Sequence, residues 1–230
     1  MPEVKYGSKV IRFSLEEREG LKSHYISVEK NAGVVLKGTP VPEAKAQQLI
    51  LKKARWILNK LALVNTFEEG ELVTGSRILY FGRRYYTELV FDETLQKAEI
   101  TFNHSQFRIK ANPSGDVQEA INTALFDFYR LKTKEKVEPR VKRWSQATSL
   151  TYREVRFMKL EKRWGSCTDT NNIILNVNIA KLPYTLIDYV IVHELCHTKV
   201  KNHSKEFWAE LSKVLPNWRE LDERLGGVDV

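Results

Sequence analysis

The sequence predicts a mixed α+β fold, and three observations carry that reading. Residues 1–40 and 76–110 alternate apolar and polar positions as half-buried strands do. Two long segments repeat apolar residues at a period near 3.6, and the chain from about residue 183 onward is helical in pattern. The expected architecture is N-terminal antiparallel strands and helices followed by a C-terminal helical core, divided into residues 1–150 and 151–230.

Short strands are expected at Lys9–Leu15, His24–Glu29 and Gly33–Leu36, with a turn at Lys30-Asn31-Ala32-Gly33. After Pro40 and Pro42, one helix is expected from about Glu43 to Leu63, with Ala46, Leu49, Ile50, Ala54, Ile57, Leu58 and Leu61 as its apolar stripe. A turn at Glu68–Gly70 leads to strands at Ser76–Phe81, Tyr85–Phe91, Lys97–Phe102 and Gln106–Lys110. A second helix, Val117 to Lys134, is striped by Ala120, Ile121, Ala124, Leu125, Phe128 and Leu131, with Pro139 expected to end or bend it. Leu150–Leu160 and Ile173–Ile179 read as strands around an Arg163–Cys167 turn. Helices are then expected at Pro183–Val200, Ser204–Leu215 and Asn217–Leu225, with Gly226 as a stop.

At 230 residues, with 42% hydrophobic and 29% charged, the chain can bury a core and is unlike disordered or low-complexity sequence. No apolar run is long enough to span a bilayer, and the opening residues lack a signal-peptide stretch. Two cysteines, Cys167 and Cys196, make no disulfide framework, so a reducing cytoplasm is the expected compartment and no membrane partner is expected. The net charge of +8 is concentrated in the first 150 residues, and Arg130 to Arg143 alone contributes +5. That run, near Arg77, Tyr80, Arg83, Arg84, Tyr85 and Tyr86, could attract phosphates, but no nucleic-acid-binding motif accompanies it. A solvated helix surface followed by a loop is the simpler reading.

Three of the five histidines lie between residues 193 and 203. In a helix, His193 and His197 stand one turn apart on the same face and can present two imidazoles to one zinc ion. Glu194 beside them is placed to accept a proton from the attacking water, as in the His-Glu-x-x-His arrangement of metalloproteases. A catalytic zinc needs a third protein ligand. His203 is the best candidate, although a continuous helix would turn it about 80° away from the other two. A bend at Lys201-Asn202, with Asn in the left-handed region and Ser204 capping the next helix, would bring it back. Glu206 and Glu210 are rival third ligands; Cys196 reads as a packed thiol, and Cys167 could approach the site if the zinc were structural. The His spacing matches metzincins, but Val200 stands where those have Gly and no methionine follows the site.

Tyr184, Tyr189 and Arg163 are candidates to support substrate or transition-state charge, Trp164 reads mainly as a core wedge, and Asp188 could orient a ligand imidazole. A strand beside the cleft could hold an extended peptide through its main chain.

The segments Lys162–Cys167, Ile187–His197 and Asn202-His203-Ser204 with Phe207-Trp208 resemble the YgjP-like zinc metallopeptidase family, relatives of minigluzincin and WLM-type peptidases. The N-terminal strands and a helix containing Arg55-Trp56-Ile57 fit the same layout. The resemblance implies a zincin-like metallopeptidase core, one Zn2+ bound by His193, His197 and His203, Glu194 as general base, and Arg163–Cys167 ending a strand that lines the cleft. It also implies two substrate classes, because members are described as metal-dependent hydrolases or proteases and one as a UTP pyrophosphatase. Peptide hydrolysis is the favoured expectation; nucleotide hydrolysis is the alternative, and a zinc-stabilised interaction or nucleic-acid-binding module is a third.

Overall fold

The computed structural model describes residues 1–7, 9–18, 20, 23–29, 33–64, 70–161 and 163–226. Residues 30–32 and 68–69, which belong to two expected turns, and Lys162 lie outside them. The architecture is mixed α+β, and it divides into two compact units: Met1–Glu68 with Leu225–Asp229, and Glu69–Arg224 with Val230. The division thus falls near residue 68, and the strands and helix of 76–148 belong with the segment after 150.

In the first unit, β1 (Glu3–Tyr6), β2 (Lys9–Glu17), β3 (Tyr25–Glu29) and β4 (Gly33–Gly38) form a sheet of order β1-β2-β4-β3. The strands are mainly antiparallel, but β2 and β4 run parallel, with Phe13 opposite Val34 and Leu15 opposite Leu36. Alternation sends Ile11, Phe13, Val28, Val34 and Leu36 to one face, where Ala46, Ile50, Ala54 and Ile57 cover them. The single helix expected there is two: α1 (Glu43–Lys52) and α2 (Ala54–Val64). Lys53 leaves helical geometry at φ −112° and ψ 10°, and its N–H turns back to the Ile50 and Leu51 carbonyls. The apolar stripe continues across this break, which is why periodicity alone reads as one helix.

In the second unit, β5 (Arg77–Tyr80), β6 (Arg83–Phe91), β7 (Glu99–Phe102) and β8 (Gln106–Ala111) form a sheet of order β5-β6-β8-β7, again with one parallel pair, β6 and β8. Its buried face (Ile78, Tyr80, Phe107, Ile109) packs with Ile121, Leu125, Phe128 and Tyr129 of α3. α3 spans Val117–Thr148, 32 residues, and runs straight through Pro139. Proline forfeits one backbone hydrogen bond and crowds the preceding turn. Pro139 faces solvent, while Thr133, Val137 and Val141 continue the buried stripe on both sides of it, so packing holds the helix past the break. The basic run is therefore helix throughout, with no loop. Asp116 caps its start by accepting from the Glu119 N–H at 2.9 Å.

A second sheet of order β10-β11-β9 follows, made from β9 (Glu154–Met158), β10 (Gly165–Cys167) and β11 (Asn172–Asn176). β11 runs into a 3-10 turn over Val177–Lys181, then α4 (Tyr184–Cys196), α5 (Lys205–Val214) and α6 (Trp218–Leu225). α4 is buried on nearly every side, with Leu186, Ile187, Val190, Ile191, Val192 and Leu195 in the core. The β5–β6 turn docks at its start: the Phe81 N–H donates to the Ala180 carbonyl at 2.7 Å and the Gly82 N–H to that of Lys181 at 3.1 Å. Gly82 has φ +78°, and a Cβ there would stand 2.7 Å from Pro183 Cβ, so glycine is required twice over. Among the described residues, no helix is long and apolar enough to cross a membrane.

Candidate metal centre

His193 and His197 occupy successive turns at the end of α4, and the helix stops at once, with His197 as its C-cap residue. The chain turns through 198–202 and presents His203 one residue before Ser204, the N-cap of α5. Asn202 does not take the left-handed conformation; its side-chain Oδ1 accepts from the Ser204 N–H at 3.3 Å instead. Ser204 occupies the expected cap position, but its hydroxyl makes no cap bond and is buried without a partner.

Three Nε2 atoms converge. That of His203 lies 3.0 Å from His193 Nε2 and 3.2 Å from His197 Nε2. His197 Nδ1 faces the Val200 carbonyl at 2.9 Å, and a carbonyl can only accept, so Nδ1 carries the proton and Nε2 offers its lone pair to the centre. Tetrahedral zinc with Zn–N bonds near 2.1 Å sets its nitrogens about 3.4 Å apart, so the three rings fit such an ion with little adjustment. Burial, reinforced by the neighbouring histidines, pulls His193 down to about 3, and burial also lowers His197, so both rings stay neutral, the form a metal would require. Phe207 of α5 is fully buried and touches all three rings, with centroid distances of 4.8, 4.3 and 4.8 Å.

Glu194 is 6% exposed, and burial pushes its carboxyl up to about 8 against the opposing pull of the Arg163 charge. Gly165 of β10 lies directly against it: a Cβ there would come within 2.7 Å of both Cγ and Oε1 of Glu194. β10 is thus an edge strand lying alongside the helix that carries Glu194. Two contacts fix it. Asn176, wholly buried, donates through Nδ2 to the carbonyls of Leu160 at 2.7 Å and Arg163 at 3.0 Å, clamping the approach to the strand. Beyond the strand, Lys201 Nζ donates to the Thr168 carbonyl at 2.7 Å and to Asn171 Oδ1 at 2.6 Å.

The remaining sequence candidates separate. Arg163 is exposed, 3.4 Å from the Ser166 hydroxyl, and close enough to Glu194 to act on its charge. Trp164 is buried as a wedge. Tyr189 packs its ring on His193 at 5.9 Å, but its hydroxyl donates to Asp222 of α6 at 2.7 Å. Asp188 meets no imidazole; Arg140 of α3 grips it at 2.8 and 2.5 Å. Tyr184 is stacked between Phe81, at 4.8 Å, and the Arg140 guanidinium, at 4.6 Å. Glu210 is occupied by Lys199 and Lys213, and Cys196 is fully buried, its thiol pushed up to about 11 by that burial. Among the described residues, the one group able to hold a metal is His193, His197 and His203. Sequence reasoning does not reach the contacts of Asn176 and Lys201, Phe207's contact with all three rings, or the roles of Arg140 and Asp222, since each depends on how the chain folds back on itself.

The family model of the YgjP-like metallopeptidase domain matches residues 22–227. Among solved structures, the metallopeptidase zymogen abylysin of Pyrococcus abyssi is 25% identical, the match covering 39% of this chain and 90% of that one, with a TM-score of 0.36. The metallopeptidase zymogen jannalysin of Methanocaldococcus jannaschii is 21% identical over 39% of this chain and 93% of that one, also with a TM-score of 0.36. No curated protein matches the chain at a significant level.

Proposed function

The chain belongs to the YgjP-like metallopeptidase family, and from that premise we propose that it is a zinc-dependent peptidase with Glu194 as general base. The supporting observation is the convergence of the Nε2 atoms of His193, His197 and His203, 3.0 and 3.2 Å apart, beside a buried carboxylate. A zinc ion held by those three nitrogens would supply Lewis-acid activation of water and of the scissile carbonyl. Glu194 accepts the proton of the attacking water and returns it to the leaving amine. Burial raises this carboxyl to about 8, and the positive charge of a zinc ion beside it would draw it back toward the carboxylate form that a general base needs. Arg163 tempers the shift and is the cation we assign to meeting developing negative charge. The open edge of β10 offers main-chain groups to an extended peptide, and the absent side chain of Gly165 leaves the carboxylate room beside it. Two free thiols suit a reducing compartment such as the cytoplasm.

The test is a comparison of wild type and Glu194→Gln on peptide and nucleoside-triphosphate pools, with metal analysis of both. We expect about one zinc per chain in each protein, peptide cleavage by wild type, and none by the variant. Cleavage of triphosphates alone would reassign the site to nucleotide hydrolysis. No hydrolysis of either pool, with salt-dependent DNA or RNA binding that survives Glu194→Gln, would reassign the chain as an interaction module.

A further inference from the structure

The three histidines are not held in the same way. His197 is fixed by the hydrogen bond from its Nδ1 to the Val200 carbonyl, 2.9 Å away. Among the described residues, His203 has no such bond, and its polar contacts are the Nε2 approaches to His193 and His197. It is also the exposed member of the triad. A histidine that enters from a turn, faces solvent and lacks a partner at Nδ1 has several rotamers open to it unless packing closes them.

Packing does close them. Besides Phe207, the His203 ring meets Trp208 of α5, with centroids 5.6 Å apart and planes inclined by 32°. Trp208 in turn stacks on Trp218 of α6 at 4.3 Å and 20°. The Arg219 guanidinium lies over the Trp218 ring at 5.1 Å. Stacked rings and a cation over a ring are directional contacts, so each group constrains the plane of the next. The far end of this chain of contacts is anchored. Asp222 stands one turn after Trp218 on the same face of α6 and accepts from the Tyr189 hydroxyl of α4 at 2.7 Å. Leu221 beside it is buried. α6 is thereby tied to the helix that carries His193 and His197, while its tryptophan reaches His203 through α5. Every residue involved lies in the second unit.

We infer that Trp208 and Trp218 are positioning residues for the third metal ligand, their stack holding the His203 ring so that Nε2 points at His193 and His197. The inference rests on the reading of the three histidines as the metal site. α6 supplies no ligand nitrogen, yet through Trp218 it acts on the histidine least restrained by hydrogen bonding. A leucine at 218 would fill part of the space but offer no flat face, leaving Trp208 free to tilt and His203 free to follow. A phenylalanine keeps a flat face for Trp208.

The full chain, stripped of metal, is titrated with zinc in competition with a chromophoric chelator. Trp218→Leu should bind zinc about tenfold more weakly than wild type, the loss expected when a group that orients a metal-binding histidine is removed. Trp218→Phe should recover to within about threefold of wild type. A second readout needs no metal. The imidazole proton signals of His203 feel the ring current of Trp208, so in the metal-free protein they should move in Trp218→Leu, while those of His197, held by Val200, stay in place. A merely structural role would lower the melting temperature and change neither zinc affinity nor the His203 signals. Trp218→Met, which keeps more apolar volume, gives the same two readings should Trp218→Leu not fold. Wild-type zinc affinity in the folded variant, unmoved His203 signals, or no recovery in Trp218→Phe would each overturn the inference. Zinc bound equally well by wild type and variant refutes the positioning role alone; a wild type that takes up no zinc refutes the metal reading and the inference with it.

Discussion

Gly165 presses its bare Cα against Glu194, so closely that a single added methyl would sit 2.7 Å from the carboxylate. The strand and the helix approach each other at the one residue proposed to move a proton. Glycine here serves distance, since its backbone conformation is open to other residues.

Gly165→Ala should therefore displace Glu194 while leaving the histidines in place. We expect peptide hydrolysis to fall by about tenfold or more, with zinc content unchanged and a stability loss of about 1–3 kcal/mol from overpacking. Activity assays, metal analysis and thermal melts on one preparation check all three; unchanged activity would show that Glu194 is not held by this contact.

His203→Ala should bind much less than one zinc per chain and lose hydrolysis, because a two-histidine remnant cannot complete the ligand set. Stripping the wild type with a chelator should have the same effect, and added zinc should restore activity. Zinc retained at full occupancy in the variant would refute His203 as the third ligand.

Asn176→Leu should cost about 2–4 kcal/mol, since the Leu160 and Arg163 carbonyls lose their buried donor. Chemical denaturation measures it. The accompanying loss of activity should exceed any loss of zinc, because the clamp acts on the approach to β10 and not on the metal ligands.

Tyr189→Phe separates a structural tyrosine from a catalytic one. The hydroxyl is already committed to Asp222 at 2.7 Å, so kcat should remain within about threefold of wild type, whereas loss of a true transition-state donor costs about a hundredfold or more. Stability should fall by about 1 kcal/mol.

Arg140→Met removes the hydrogen-bonded partner of a mostly buried Asp188, with side-chain exposures of 23% and 17% for the two residues, and leaves only Arg143 at 3.7 Å. A destabilisation of about 2 kcal/mol is expected in denaturation, with zinc content kept.

The histidine site was legible in the sequence because its first two ligands obey helical periodicity, which is a local property. His203 was legible through chemical demand: two histidines and a glutamate on a helix call for a third ligand nearby. How the chain turns to deliver it was not, as Asn202 shows by capping Ser204 through its side chain in place of a left-handed backbone. Pro139 misled for a related reason. Its local penalty is real, but the buried stripe of Thr133, Val137 and Val141 outweighs it, and packing against distant elements is invisible to a window of neighbours. β10 has only three residues, too few for alternation to register, and was reached only through resemblance. Asp188 and Tyr189 lie on α4 as expected, but their polar groups turn to Arg140 and Asp222, 48 and 33 residues away.

The contacts of Lys201 with Thr168 and Asn171 tie down the segment between the second and third histidines, and if the triad holds a metal, that restraint would bear on which ion it accepts. A pliable ligand set conforms to its guest and so ranks divalent metals by intrinsic affinity, which favours copper. A ligand set restrained by hydrogen bonds would rank them by stereochemistry, discriminating through shape what it could not discriminate through strength.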